Sequence, residues 1–169
     1  MTRARPHGVT LIELMIGLSI MLLLLLAALP FGTRWSQGNR QMEARNLLWE
    51  GVSQARAIAL RNPAAHRIGT SAAVLRLRAG QLEVLLPGTA APLWVGPLRA
   101  GTVLKLADRD GYGDAEAMAA SSHPAFDCVN FDASGARLPG ADGCSDSSPA
   151  LGRIAVGVDR QDPLYVDLL

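Results

Sequence analysis

Three aspartates fall within seven residues, in the segment D-R-D-G-Y-G-D that starts at Asp108. Asp108, Asp110 and Asp114, with glycines between them, could offer oxygen ligands to a hard cation such as calcium. The segment starts like an EF-hand loop, but its fifth place is a tyrosine and its twelfth an alanine, where a bidentate glutamate is required. We keep a calcium site as one hypothesis and a solvated turn between strands as the simpler alternative.

The chain contains two cysteines, Cys128 and Cys144. A metal or redox site would need closer spacing or histidine partners, and His123 is the only histidine nearby. A disulfide here would close a loop of about 15 residues and stabilise the fold by about 3 kcal/mol. We favour the disulfide, because the membrane topology argued below puts both cysteines on the oxidising side.

The sequence lacks the common catalytic and nucleotide-binding motifs, namely G-x-S-x-G, H-E-x-x-H, the P-loop and G-x-G-x-x-G. Ser121, Ser122 and His123 are adjacent, but adjacency does not bring a nucleophile and a base into reach of each other. We interpret them as loop residues and expect neither enzymatic activity nor a cofactor. A membrane-anchored periplasmic enzyme is the alternative from a different class.

Glu13 is a lone carboxylate at the start of a long apolar stretch. No charged side chain occurs between Leu14 and Thr33, and about 20 apolar residues are enough for a helix to span a bilayer. An unpaired carboxylate in hydrocarbon costs about 3 kcal/mol. Glu13 is therefore expected to have a cationic partner.

Arg3 and Arg5 are the only charged residues ahead of Glu13. The positive-inside bias keeps these arginines in the cytoplasm and puts everything after Thr33 across the membrane. A secretory signal peptide cut near residues 27–28 is the alternative. The intramembrane carboxylate and the length of the apolar run favour an uncut membrane segment instead.

The segment G-V-T-L-I-E-L, from Gly8 to Leu14, resembles the processing site of type IV prepilins and type II secretion pseudopilins. Those families have a glycine before the cut, an apolar residue after it, usually phenylalanine, and then T-L-I-E-L. The resemblance implies that a prepilin peptidase cuts after Gly8 and methylates the new amino group of Val9. It also implies that Glu13 pairs with the N-terminal amine of a neighbouring subunit. Such a pair in a low-dielectric bundle can set the axial register of a filament.

Pro30 lies near the end of the apolar run. A proline can end a helix or kink it, because it removes one backbone hydrogen bond. Pilin helices often carry a proline here, so the resemblance implies a kink within one long helix. We predict that this helix continues to about Arg61 and ends at Asn62 and Pro63, because the residue before a proline avoids the α region.

Two apolar patterns follow Pro30 at helical spacing. One consists of small and aliphatic residues, Leu48, Val52, Ala55 and Ala59. The other repeats every seven residues at Trp35, Met42 and Trp49. We predict that the tryptophans and the methionine pack in the core rather than form a binding surface. In the family that the N-terminus resembles, this segment is the amphipathic half of the long helix.

Short β patterns alternate with turn signals in the rest of the chain. Residues 74–78 and 82–86 flank Ala79-Gly80 and predict a hairpin, and residues 154–158 and 164–168 predict a terminal hairpin. Shorter candidate strands cover residues 93–95, 102–106 and 129–131. The predicted fold class is α+β, a long N-terminal helix packed on a small antiparallel sheet, as in pilins.

These patterns predict four segments: a leader of residues 1–8, a transmembrane and assembly helix of residues 9–33, an amphipathic helix half of residues 34–62, and a β-rich domain of residues 63–169. The resemblance implies a single-pass protein of the bacterial inner membrane with its C-terminal domain in the periplasm. It further implies assembly into a periplasmic or surface filament.

Charge is unevenly distributed along a chain whose formal net charge is only +1. Residues 34–107 carry ten basic and three acidic side chains, whereas residues 108–169 carry four basic and eleven acidic ones. We hypothesise that the basic part of one subunit faces the acidic part of a neighbour, with Arg45 and Arg56 among the contacts.

Two further segments, residues 43–62 and F-D-A-S-G-A-R-L-P-G at residues 131–140, resemble the GspH/FimT group of minor pseudopilins and pilins. The implied partners are other subunits, the prepilin peptidase and the inner-membrane assembly platform. We favour a GspH-like pseudopilin of type II secretion over a FimT/FimU-like minor pilin with a role in DNA uptake. One competence pilin of the FimT group binds DNA through basic residues near its C-terminus. Here Arg160 stands among aspartates, so no nucleic-acid partner is expected.

Overall fold

The computed structural model describes residues 10–168, with side chains for all of these except residues 29–34. The chain forms two compact units, one ending at Ser36 and the other beginning at Gln37. The fold is α+β and pilin-like, as predicted. Its elements are α1 (Leu11–Arg61), β1 (Ser71–Arg78), β2 (Gln81–Leu85), β3 (Trp94–Pro97), β4 (Thr102–Ala107), α2 (Ala115–Ala120), β5 (Cys128–Asp132), β6 (Arg137–Leu138), β7 (Arg153–Val158) and β8 (Leu164–Asp167).

Helix α1 passes through position 30 and ends at Arg61, so Pro30 does not terminate it. The kink at Pro30 stays a prediction. The predicted end of the helix after Arg61 is confirmed, and the chain leaves the helical conformation at Asn62. Its φ of 44° leaves the right-handed helical region, and its side-chain amide exchanges two hydrogen bonds of 2.8 Å with the backbone of His66. These bonds turn the chain away from the helix axis.

One face of α1 packs in the core of the second unit, and its residues are Ala44, Leu48, Val52, Ala55 and Ala59. The prediction that Trp35, Met42 and Trp49 form the core was wrong, since they are 75%, 54% and 61% exposed. Consecutive residues of a helix are about 100° apart, so the stripe through Trp49 lies more than a quarter turn around the helix from the one through Leu48. Alanines on the buried face let the helix backbone approach the strands closely.

The strands form two antiparallel sheets rather than the single sheet that was predicted. The larger sheet has the order β3-β2-β1-β5-β6, and the smaller has the order β4-β7-β8. Both predicted hairpins are confirmed, as β1 with β2 and as β7 with β8. The large side chains Phe131, Leu75 and Ile154 are completely buried in the core that the sheets share with α1.

Trp94 of β3 covers a glycine on the helix and a glycine on its own strand. A Cβ atom at Gly51 would lie 3.2 Å from the indole ring, and one at Gly96 would lie 2.4 Å from it. The second distance is too short for any side chain, so the packing of β3 on α1 requires glycine at position 96. The indole N–H of Trp94 donates to Glu50 at 3.3 Å.

Two polar side chains of α1 reach the β7–β8 hairpin of the smaller sheet, in which β8 is an edge strand. The buried amide of Gln41 donates to the carbonyls of Val156 at 2.9 Å and Asp162 at 2.7 Å. Arg45 donates to the carbonyl of Tyr165 at 3.0 Å. These bonds tie the β7–β8 hairpin to the start of the second unit.

Candidate functional site

The first described turns of α1 form an apolar segment that carries one carboxylate. Residues Leu11–Ala28 have a mean hydropathy of 2.6 and none of them is buried, so this stretch is long and apolar enough to anchor the chain as a single membrane pass. Glu13 lies in its first turn. Among the side chains that the structure describes, none forms an ion pair with its carboxylate.

Thr10 caps the start of α1, because its hydroxyl oxygen accepts the backbone N–H of Glu13 at 3.3 Å. A carboxylate in the first helical turn is favoured by the positive end of the helix dipole. The predicted cleavage and methylation residues, Gly8 and Val9, lie outside the described residues. Their roles, and that of Glu13 in assembly, stay predictions.

Cys128 and Cys144 form the predicted disulfide, with an S–S distance of 2.02 Å and a Cα–Cα distance of 5.2 Å. The bond fastens the segment of residues 139–148 against β5. The buried amide of Asn130 adds a hydrogen bond to the carbonyl of Ala141 at 2.8 Å. The carboxylate of Asp127 accepts the hydroxyl of Ser145 at 2.7 Å. The segment is thus held by covalent and polar contacts rather than by apolar packing.

A buried ion pair joins β6 to the same segment and was not foreseen from the sequence. Arg137 of β6 and Asp146 lie 3.9 Å apart, and their side chains are 6% and 0% exposed. Arg137 also donates to the carbonyls of Leu151, Ser148 and Pro149. Burial raises the pKa of the Asp146 carboxyl, although the backbone N–H of Gly140 and the nearby Arg137 partly oppose this effect.

The F-D-A-S-G-A segment is a turn built around the buried carboxylate of Asp132. This carboxylate accepts the backbone N–H groups of Ser134 at 2.9 Å and Ala136 at 3.1 Å, and the Ser134 hydroxyl at 2.6 Å. Its second oxygen accepts the N–H of Gly69 at 3.0 Å, which ties down the loop before β1. Burial opposes ionisation, but these hydrogen bonds outweigh it and lower the pKa of Asp132.

The proposed calcium ligands are not brought together. Asp108 accepts the backbone N–H groups of Asp110 and Gly111 at 3.1 and 3.0 Å. Asp114 caps the short helix α2 by accepting the N–H of Ala117 at 2.7 Å. Throughout residues 10–168 no group of three or more histidine, cysteine, aspartate or glutamate side chains is placed to hold a metal ion.

The Ser-Ser-His segment ends α2 and forms no nucleophile–base pair. The backbone N–H of His123 donates to the Ser121 hydroxyl at 3.1 Å, and the His123 ring lies 3.2 Å from the Tyr112 hydroxyl. Lys105 closes the helix by donating to the carbonyls of Met118 at 2.8 Å and Ser121 at 2.6 Å. These groups therefore form hydrogen bonds with one another and with the C-terminal end of α2.

The basic side chains named for intersubunit contact are largely used within the chain. Arg45 is bonded to Tyr165 as described, and the Arg56 guanidinium lies 5.4 Å from the centre of the Phe131 ring. Burial lowers the pKa of Arg56. Four further arginines lie within ion-pair distance of acids of the same chain, namely Arg76 with Glu83, Arg99 with Glu43, Arg137 with Asp146 and Arg153 with Asp167. Arg45 and Arg56 are therefore poorly placed for contacts with another subunit, whereas Arg61 and Arg67 are exposed. Charge complementarity between subunits stays a hypothesis.

Residues 3–29 match the family model of the prokaryotic N-terminal methylation motif. The matched segment contains the predicted cut, Glu13 and most of the membrane segment. Together with the α+β fold, the motif supports the class of type IV pilin-like proteins and pseudopilins. Proteins of this class are structural rather than catalytic. No curated protein and no solved structure shows significant similarity to the chain.

Proposed function

We propose that the chain is a minor pseudopilin, similar to GspH, of a type II secretion pseudopilus. The observation that carries the proposal is the prepilin-type motif of residues 3–29, placed on an apolar helix ahead of an α+β domain. A membrane segment that serves only as an anchor needs no carboxylate near its start. Glu13 therefore favours a subunit whose helix moves from the lipid bilayer into an assembly of helices, where the carboxylate can find a partner.

In this proposal the leader stays in the cytoplasm and prepilin peptidase removes residues 1–8. The new N-terminal amine of Val9 is methylated and pairs with Glu13 of an adjacent subunit. Each charge relieves the desolvation cost of the other, so the pair is formed only when two subunits reach the correct axial offset.

The exposed apolar residues of the second unit support a packing role for α1. Met42 and Trp49 lie on the solvent side of the helix, 54% and 61% exposed. Exposed tryptophan and methionine are common in protein interfaces and are costly on an isolated domain. They offer neighbouring subunits an apolar surface beyond the membrane.

Co-expression of the full chain with a prepilin peptidase tests the proposal. We expect a product that has lost residues 1–8 and carries one methyl group on Val9, measured by intact mass. Gly8→Leu should block the cut. Gly17→Ala is the matched control, because a Cβ atom at Gly17 meets nothing within 4 Å. Cleavage at another position, or no cleavage, would refute the proposal.

A FimT/FimU-like minor pilin of a type IV pilus is the alternative. Deletion of the gene distinguishes type II secretion from a type IV pilus. Loss of a pseudopilin should stop secretion of folded substrates and leave surface pili intact. Loss of pili with secretion unchanged would favour the minor pilin.

A further inference from the structure

The last turn of α1 and the loop that follows it border the same turn of the larger sheet, the one that joins β5 to β6. Gly69 donates its backbone N–H to the carboxylate of Asp132 at 3.0 Å, and this carboxylate also accepts two backbone N–H groups of the turn. A Cβ atom at Gly135, within the turn, would lie 3.4 Å from the side chain of Leu60. Asp132 therefore joins the loop to the turn, and Leu60 lies against the turn from the helix side.

Two large aliphatic side chains are exposed beside this turn. Leu60 is 61% exposed and Ile68, next to Gly69 in the loop, is 77% exposed. The turn itself, residues 133–136, contains only alanine, serine and glycine, whose small side chains leave both aliphatic ones uncovered. Single exposed apolar residues are normal on a protein surface, whereas several around one feature indicate an interaction site.

The charged groups around the two aliphatic side chains are basic. Arg61 and Arg67 are exposed, and neither takes part in an ion pair with a described side chain. The sequence has no acidic residue between Glu50 and Glu83. The carboxylate of Asp132 is nearby, but the residue is only 4% exposed and this carboxylate is already bonded to backbone N–H groups. The positive charge of the two arginines therefore faces solvent without a partner.

The loop that carries Arg67 and Ile68 is held in one conformation. The side chain of Asn62 exchanges two hydrogen bonds of 2.8 Å with the backbone of His66. Ala65 has a φ of 54°, a left-handed conformation that costs an alanine about 1 kcal/mol. Such strain persists only where the surrounding structure imposes it, and it is often found at functional sites. A preformed loop loses little conformational entropy on binding.

We propose that Leu60, Arg61, Arg67 and Ile68, together the α1-end surface, bind a different subunit of the filament. The complementary segment of that subunit has carboxylates on either side of an aliphatic side chain. The partner is a different subunit because a minor subunit is present in few copies and has other subunits as neighbours. Nucleic acid fits less well, since its binding needs clustered cations and leaves the aliphatic side chains exposed. The inference rests on the proposed filament function and specifies one contact within it.

Photo-crosslinking in cells tests this contact, with the full chain made together with its prepilin peptidase and the other prepilin-type subunits of the same system. Benzoylphenylalanine at position 68 should give a covalent adduct with one of these subunits, and mass spectrometry should locate it next to an aspartate or glutamate. The same group at Ala90, which is exposed in another loop, should give at least about fivefold less adduct. The proposal would be overturned by the absence of an adduct, or by adducts only with a second copy of this chain, with nucleic acid or with proteins other than the subunits.

Neutralising the two arginines tests whether the partner is acidic. With the crosslinker kept at position 68, Arg61→Gln/Arg67→Gln should lower the yield of adduct about threefold to tenfold, as expected from the loss of two exposed ion pairs. Arg109→Gln/Arg160→Gln removes two exposed arginines elsewhere on the chain and is the matched control. Equal yields in the two double variants would exclude an acidic partner.

A second pair of variants tests the aliphatic part of the α1-end surface. Leu60→Ser should lower the yield at least about threefold, whereas Leu93→Ser, on a leucine that is 57% exposed elsewhere, should not. Both variants should keep the stability of the wild type within about 0.5 kcal/mol in urea, which separates loss of contact from loss of folding. Equal yields in both would exclude a role of Leu60 in the contact. A chain that is not cut after Gly8 would refute the filament function itself, whereas a cut chain that enters filaments without the adduct would refute this contact alone.

Discussion

The carboxylate of Asp146 lies 3.9 Å from the guanidinium of Arg137, inside the segment that the disulfide fastens to β5. Both side chains are buried, and the loss of water raises the pKa of the Asp146 carboxyl more than Arg137 lowers it. The pair therefore orders the segment at some cost in stability.

We predict a dependence of stability on pH that has opposite signs for two buried aspartates. The pKa of Asp146 is raised in the folded chain, so its contribution to stability is present below about pH 4 and is lost as the pH rises. The stability of the wild type minus that of Asp146→Asn should therefore shrink between pH 4 and pH 7. Urea unfolding of the full chain in detergent, with the disulfide intact, measures this difference.

Asp132 provides the contrasting case. Its pKa is lowered by its hydrogen bonds, so its contribution is present above about pH 4 and is lost as the pH falls. Asp132→Asn should cost about 2 kcal/mol at neutral pH, because it weakens bonds to backbone N–H groups. The cost should decline in acid. The same slope for both variants would contradict the assignment of the two environments.

Loss of the disulfide should lower the free energy of unfolding by about 3 kcal/mol, because the unfolded chain without this crosslink has more conformational freedom. The comparison uses Cys128→Ala/Cys144→Ala and the oxidised wild type, unfolded in urea under the same conditions. Cleavage after Gly8 should be unaffected, since the cut is made at the other end of the chain. Equal stability of the two proteins would contradict this prediction.

Mutation of two adjacent residues on α1 should change the stability of the chain by very different amounts. Leu48 is completely buried, so Leu48→Ala should destabilise the chain by about 3 kcal/mol. Trp49 is 61% exposed, so Trp49→Ala should change stability by less than about 0.5 kcal/mol. If α1 packs on neighbours, Trp49→Ala should still reduce incorporation into filaments. A large loss of stability in Trp49→Ala would mean that the indole packs within the subunit.

Glu13→Gln should leave cleavage after Gly8 intact and reduce filament incorporation at least about tenfold, because the amine of a neighbour would lose its partner. Asp110→Asn, on an exposed carboxylate of the second unit, is the control and should have no effect. Immunoblots of membrane and sheared-filament fractions measure both steps. Wild-type incorporation of the Glu13 variant would remove the register role.

Calcium should not raise the melting temperature of the chain by more than about 1 °C, because a site of useful affinity needs several carboxylates around one ion. Asp108 and Asp114 are instead occupied by backbone N–H groups. A titration followed by circular dichroism in calcium and in chelator measures the shift. A clear increase would show that the loop rearranges around the ion.

The sequence predicted most of the strands because turn residues separate them. Ala79-Gly80 lies in the β1–β2 hairpin with positive φ at both positions, and such turns have strong local preferences. The helix α2 was missed, although Asp114 followed by alanines is a recognisable helix start. The short strand β6 has only two residues and offers no pattern to detect.

Other errors came from contacts that local patterns do not encode. Trp49 and Leu48 both satisfy a helical repeat, and only the position of the sheets decides which of them is buried. The pair of Arg137 and Asp146 depends on how the loop after β6 folds back, which no spacing predicts. The disulfide was identifiable because two cysteines in one domain leave few alternatives.

The contacts of Gln41 and Arg45 with the β7–β8 hairpin have a consequence for aggregation of the chain. An uncovered edge strand presents backbone groups that can pair with a strand of another molecule and start aggregation. At β8 the carbonyl of Tyr165 already accepts a hydrogen bond from Arg45, and in the turn before β8 the carbonyl of Asp162 accepts one from Gln41. These bonds leave fewer free carbonyls at this edge of the smaller sheet, and so reduce the chance of amyloid-like pairing with a strand of another molecule.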